Sequence, residues 1–316
     1  QGYPAAIRTV EAIKQDYPQG VDLAESVRLF LRDAYALWGT RTVIIGGDPS
    51  LVPIRYARSY AYNTPSGVNI ATDYYYACLD GNWNADGDNI FGEAFFQGAS
   101  NQTDRVDLVP ELRVGRVSAL DTTQVGVWVR KYMKYVKNPE LTPGYLDGAL
   151  ILGEVLFDAS WRLGMADTCL SGGSTPCVQL DGAIDCFALI DSIKASSFGS
   201  FFTFDEQYER EYWWNPRRGI HAKQLNRTNV LASLNAGRNI VYQMGHGDRD
   251  RWAIGTSRLI TSDVAGTTNG PRYGGLAYAV NCNSAAVDAD CVGEAWQFAP
   301  NGGGVNYLGS TNLDFP

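Results

Sequence analysis

Short apolar runs that stop on glycine or on a polar side chain, alternating with stretches of helical periodicity, constrain this chain more than any other feature. Thr42-Val43-Ile44-Ile45-Gly46-Gly47-Asp48 is such a run, and similar ones lie at 111–117, 149–153, 239–247, 275–283 and 304–309. Between them Leu23, Val27, Phe30, Leu31, Ala34 and Leu37 recur at helical spacing until Gly39. Val125, Val129, Met133 and Val136 mark a second helix, Val230, Leu231 and Leu234 a third, and further helices are expected at 183–195 and 291–298. Runs this short suit strands covered on both faces, and strands alternating with helices predict an α/β fold with a mostly parallel sheet flanked by helices. The 316 residues exceed one typical core. Two fused α/β subdomains are expected, 1–145 and 146–316, joined at the turn-rich stretch 141–148. Residues 201–218, charged and aromatic with little periodicity, read as a long loop.

Two of the apolar runs end on reactive side chains. Asn239-Ile240-Val241-Tyr242-Gln243-Met244 leads into Gly245-His246-Gly247, and Gly275-Leu276-Ala277-Tyr278-Ala279-Val280 leads into Asn281-Cys282-Asn283. Ligands in open α/β sheets bind at the carboxyl ends of strands. A thiol attacks an acyl carbon as thiolate, so it needs a base and a donor for the oxyanion. His246 is the candidate base, and the Gly247 amide is a candidate oxyanion donor. The glycines beside His246 leave room for close backbone approach. His221, the other histidine, reads as a surface residue. A disulfide between Cys282 and Cys291 is the alternative that would remove the nucleophile.

Composition excludes some classes. A net charge of −8 and the absence of a dense Lys/Arg cluster argue against a nucleic-acid partner. The longest apolar stretch, 149–157, is interrupted by Glu154 and is too short to span a bilayer. The start at Gln1, with no apolar signal region, reads as a mature or trimmed product. Six cysteines are compatible with an oxidising compartment. Cys169, Cys177 and Cys186 lie in a loop-like stretch that a disulfide could staple, and no spacing suits a structural zinc.

From about Val21 to Gly309 the chain resembles the gingipain-like cysteine peptidases, which have a caspase-like fold. The resemblance rests on Val43-Ile44-Ile45-Gly46-Gly47-Asp48 with Val52-Pro53, on Thr72-Asp73-Tyr74-Tyr75-Tyr76 and on Leu112-Arg113-Val114-Gly115-Arg116-Val117-Ser118. Gly245-His246-Gly247 with Trp252-Ala253-Ile254-Gly255, and Cys282-Asn283-Ser284 with Gly293-Glu294-Ala295-Trp296, follow in family order. It implies a secreted or cell-surface endopeptidase acting on protein or peptide substrates, with Cys282 as nucleophile, His246 as base and acid, and Gly247 at the oxyanion. It also implies a prodomain or further C-terminal chain, bound calcium and, in the best-known members, cleavage after Arg or Lys. An acidic side chain often assists the histidine; Glu154, Asp158 and Asp167 are the candidates here. The chain ends at Phe315-Pro316, where family members continue with pocket-lining residues. Two other readings stand beside hydrolysis: transpeptidation by the same pair, and a non-enzymatic, calcium-stabilised surface or assembly module.

A separate constellation points to a hard cation. Asn82, Asn84, Asp86, Gly87 and Glu93 match positions 1, 3, 5, 6 and 12 of a calcium-binding loop, and Asp80 and Asp88 add charge. The same residues also suit a polar turn without metal. Tyr74-Tyr75-Tyr76 and Trp213-Trp214 read as packing aromatics on strands or a rim, the tryptophans alternatively as the floor of a groove.

Overall fold

The computed structural model describes residues 4–60, 67–93, 104–154, 190, 192–197, 199–209 and 223–314. It divides into two units, Gln1–Thr122 and Thr123–Pro316.

In the first unit the elements are α1 (Val10–Asp16), α2 (Leu23–Trp38), β1 (Thr42–Gly46), β2 (Arg55–Ser59), β3 (Val68–Thr72), α3 (Tyr74–Ala77) and β4 (Arg113–Val117). Asp22 caps α2 by accepting the Glu25 amide at 2.8 Å, and Gly39 ends the helix in the left-handed conformation. Ala24, Val27, Leu31 and Ala34 form its buried stripe. β1 pairs in parallel with β4 from Thr42↔Arg113 to Gly46↔Val117, while β2 and β3 form an antiparallel pair that the sequence did not announce. The three tyrosines lie on the short helix α3 rather than on a strand. Tyr75 and Tyr76 are buried, and Tyr75 meets Trp83 and Phe91 edge-on at 5.4 and 6.1 Å.

The second unit holds α4 (Thr122–Lys137, from its second residue), β5 (Gly148–Gly153), β6 (Thr203–Tyr208), β7 (Lys223–Gln224), α5 (Arg227–Ala236) and β8 (Ile240–Met244). β9 (Gly247–Asp248), β10 (Arg251–Ile254), β11 (Ser257–Ile260), α6 (Thr261–Ala265), β12 (Gly274–Val280), α7 (Val292–Phe298) and β13 (Gly304–Gly309) complete it. Six strands form one parallel sheet in the order β13-β12-β8-β5-β6-β7. β5 is buried at every position, as expected of a central strand covered on both faces. Leu150 and Leu152 pack to one side with Val230, Val241, Ala277 and Trp296. Ala149 and Ile151 face the other side with Ile190, Tyr208 and Met244.

Three expectations change. The join anticipated at 141–148 falls inside the second unit, because α4 packs there: Trp128 Nε1 donates to the Val305 carbonyl at 3.0 Å, and Arg130 to that of Pro300 at 3.0 Å. The stripe of Val125, Val129 and Met133 is exposed, and the fully buried residue of α4 is Lys131. Periodicity reports a stripe but not which face is covered. Residues 203–208, expected in a loop, form β6. Its Asp205, Glu206 and Gln207 are buried, with charge and hydrogen bonding supplied by Lys223, Arg238, Ser233 and Lys194. The expected helix at 183–195 lies mostly outside the described residues.

Lys131 Nζ donates to the carbonyls of Trp296, Ala299 and Gly302 at 3.0, 3.4 and 3.1 Å, at and beyond the carboxyl end of α7. Burial lowers its pKa to about 7. Between about 7 and the ordinary lysine value the unfolded chain binds the extra proton, so this group makes stability rise with pH over that window. Replacing Lys131 with Ala strands three carbonyls and is expected to cost roughly 2–4 kcal/mol, read by chemical denaturation. A loss under about 0.5 kcal/mol would show that water replaces the ammonium without penalty.

Candidate active site

β5, β8 and β12 are neighbours in the sheet, with β8 in the middle. The chain runs outward from β5 to β6 and β7, then returns to the other side of β5 for β8, β12 and β13. Strand order therefore reverses between β5 and β8, the kind of point where a parallel sheet opens a crevice beyond its carboxyl ends. Glu154 follows β5, Gly245-His246 follow β8, and Asn281-Cys282 follow β12.

The register fixes their relation. Val280 pairs with Met244, so Cys282 and His246 each lie two residues past the last paired position of adjacent parallel strands. Gly245 N–H donates to the Val280 carbonyl at 3.2 Å, and Glu154 N–H to that of Met244 at 3.0 Å, carrying strand pairing one step further. His246 is exposed and Cys282 half-buried. Asn283, directly after the cysteine, has φ +58°, a left-handed turn that asparagine tolerates better than most residues. The loop is pinned from below: Tyr307 Oη donates to Ser284 Oγ at 2.8 Å and accepts from Trp252 Nε1 at 2.9 Å.

Cys282 is a free thiol whose Sγ–H donates to the Asp314 carbonyl at 3.8 Å. Cys291 is also free, so the bond between them that would remove the nucleophile is absent. Cys291 instead caps α7; it is buried, and burial pushes its thiol up to about 12. Cys78 is buried as well, its pKa raised to about 11 by desolvation. Among the described cysteines only Cys282 is both free and partly open to solvent.

Of the three acids considered for the histidine, Asp158 and Asp167 lie outside the described residues, as do Cys169, Cys177, Cys186, Trp213, Trp214 and His221. Glu154 is 5% exposed, and its Oε2 accepts the backbone N–H of His246 at 2.6 Å. Burial pushes its carboxyl up to about 7, opposed by the hydrogen bond from His246 and by the nearby imidazole charge.

The two glycines beside His246 have a use the sequence did not reveal. A Cβ on Gly245 would lie 2.8 Å from both Gln243 Nε2 and Glu154 Oε2, and one on Gly247 would lie 2.6 Å from Asn281 Cγ. The protein's own side chains fill that space.

In the first unit, Asp86, Asp88 and Glu93 offer carboxylate oxygens within 4.8 Å of one another. Gly87 is left-handed, as the sixth position of a cation loop requires. Asn82 Oδ1 accepts from Asn84 N–H at 3.1 Å, and Asn84 Oδ1 from Asn89 N–H at 3.0 Å, so these two amides shape the turn. Glu93 is buried and accepts from Tyr60 Oη. Three converging carboxylates fit a hard divalent cation, which would offset their mutual repulsion.

The fold is the caspase-like α/β arrangement of the gingipains. It matches the crystal structure of the Arg-specific cysteine proteinase gingipain R (RgpB) with TM-score 0.60 and 18% identity, covering 95% of this chain and 56% of that one. The complex of Porphyromonas gingivalis RgpB pro- and mature domains matches with TM-score 0.59 at 18% identity, over 95% and 56% of the two chains. A third structure, described only as a protease, gives TM-score 0.56 at 18% identity, over 92% and 50%. This chain thus spans about half the length of the solved proteins it resembles. The model of Peptidase family C25 matches residues 1–316, and the chain belongs to that family. No curated protein matches it. No helix among the described residues is long and apolar enough to cross a membrane.

Proposed function

We propose that this chain carries the catalytic unit of a secreted or cell-surface cysteine endopeptidase, with Cys282 as nucleophile and His246 as general base and acid. The observation that carries the reading is the β8–β12 register, which brings both residues to the same end of adjacent strands beside the switch point. The Cys282 thiolate attacks the scissile carbonyl, and the new C–S bond leaves an oxyanion that the Gly247 N–H helps to hold. The C–N bond then breaks as the His246 imidazolium protonates the leaving amine. Water deprotonated by His246 attacks the thioester and releases the acid, restoring the thiol. Glu154 holds the His246 backbone and places negative charge near the imidazolium.

Cleavage after a basic residue is the specificity we propose first, since the matched gingipain R is Arg-specific. A prodomain is the proposed partner, in line with the pro- and mature-domain complex of RgpB. A positional-scanning peptide library, run beside Cys282→Ala, tests both activity and preference. Turnover by the wild type alone is expected. Equal turnover by the variant, or none by either under any calcium condition, would reject the reading. Acyl transfer to an added amine would redirect it to transpeptidation.

We propose calcium as a structural ion held by Asp86, Asp88 and Glu93, with Asn82 and Asn84 shaping the loop. The ion would supply positive charge and tie the loop to the first unit. Calcium at about 100 times its dissociation constant stabilises a folded chain by roughly 2.7 kcal/mol. Adding EDTA is therefore expected to lower the melting temperature by several degrees, and Asp86→Asn with Glu93→Gln to erase that difference. An unchanged melting temperature on chelation would count against the ion.

A further inference from the structure

Directly beneath the candidate site two carboxamides meet inside the protein. Gln243 is the penultimate residue of β8, and Asn281 the first residue beyond β12; each is 1% exposed. Asn281 Nδ2 donates to Gln243 Oε1 at 2.5 Å, joining the strand that bears His246 to the residue preceding Cys282. The rest of the pair is unsatisfied: Gln243 Nε2 and Asn281 Oδ1 are buried with no hydrogen-bond partner. Two apolar residues would fill this space without stranding polar atoms, so the amides cost folding free energy that packing does not require. Local violations of that kind gather at functional sites.

Their surroundings indicate the function. Gln243 Nε2 shares the empty side of Gly245 with Glu154 Oε2, each 2.8 Å from where a Cβ would stand. Asn281 occupies the empty side of Gly247, its Cγ 2.6 Å and its Nδ2 3.0 Å from that glycine's would-be Cβ. The two amides thus touch both glycines of the histidine turn, while Asn281 is covalently bound to Cys282. β9 begins at Gly247, so the turn has little regular structure of its own before that point.

We propose that Gln243 and Asn281 are positioning residues: their amide pair locks the cysteine turn against the histidine turn and so sets the approach of thiol to imidazole. The proposal rests on the Cys282–His246 reading above. Neither side chain touches substrate; both act through the two turns. A small misplacement of reacting groups is enough to slow an enzyme strongly.

The test uses Gln243→Met and Asn281→Leu, which are close in volume and apolar, singly and together. The double variant is expected to melt at or above the wild-type temperature, because all the buried amide atoms are removed, and each single variant somewhat below it, because the surviving amide loses its one partner. kcat on the best library peptide should fall by about 10–100-fold with KM nearly unchanged. The rate of Cys282 alkylation by iodoacetamide, measured against pH, should shift to higher pH as the imidazole no longer holds the thiolate. The double variant should lose little more than either single one, since the two act as a unit. Wild-type kcat and an unmoved alkylation profile in a well-folded single variant would overturn the proposal. So would failure of both variants to fold, which would assign the pair a structural role. Wild-type protein with neither turnover nor pH-dependent alkylation at Cys282 would instead bring down the underlying Cys–His reading.

Discussion

Cys282→Ala is expected to remove peptide hydrolysis by at least about 10⁴-fold in kcat, the order seen when a nucleophile that works with a base is deleted. Covalent acyl transfer has no substitute route here, because a methyl group can neither form nor release a thioester. KM for the same peptide should change little, since the substitution removes only the sulfur. The companion experiment is alkylation of the wild type at neutral pH. Cys78 and Cys291 are buried, with thiols pushed up to about 11 and about 12, so both should react slowly. Cys282 is free and half-buried, and peptide mapping should find it labelled first among these three. Loss of activity should track that single modification. His246→Ala should reproduce the loss and also slow alkylation, because the thiolate loses its counter-ion. Activity that survives full labelling of Cys282 would place the chemistry elsewhere.

Much of the second unit's layout was legible because its central strands are apolar runs that end abruptly. Leu150, Ile151 and Leu152 announce β5, and the runs before Gly245 and Asn281 announce β8 and β12. Parallel pairing in register then follows once the sheet is assembled, and register is what carries two distant residues to one place. The spatial order of the strands was not legible. The switch between β5 and β8 depends on β6, whose Asp205, Glu206 and Gln207 look like loop residues until Lys223, Arg238 and Ser233 are placed around them. The burial of Lys131 left no trace in the sequence, since a lysine normally marks the wet face of a helix. Gln243 and Asn281 left a faint trace: each is a lone carboxamide at the end of an apolar run. Linear sequence could not say that they face each other, nor that the glycines beside His246 make room for protein side chains. Glu154 was one of three acids following the same strand, and only the hydrogen bond to the His246 amide singles it out.

That carboxylate should leave a signature in both activity and stability. Burial raises Glu154 to about 7, so in the folded protein it loses its proton around neutrality, whereas in the unfolded chain it does so at the ordinary glutamate value near 4.5. Between those values the native state holds the extra proton, and stability falls as pH rises through the window. The separation corresponds to roughly 3 kcal/mol for a buried group. Glu154→Gln keeps an acceptor for the His246 N–H but cannot ionise. It is expected to match the wild type in stability near pH 4.5 and to exceed it by roughly 3 kcal/mol at pH 8, in urea titrations at both values. Activity should move in the opposite direction. The imidazolium formed during attack gains from an adjacent negative charge, so wild-type kcat/KM should climb as Glu154 ionises around pH 7. The glutamine variant should lose that limb and turn over about 10–100-fold more slowly above it, the usual scale for a group that supports an acid–base catalyst. A stability difference that does not change with pH would mean the carboxyl stays in one protonation state throughout. Equal kcat/KM at pH 8 would show that His246 is oriented without it.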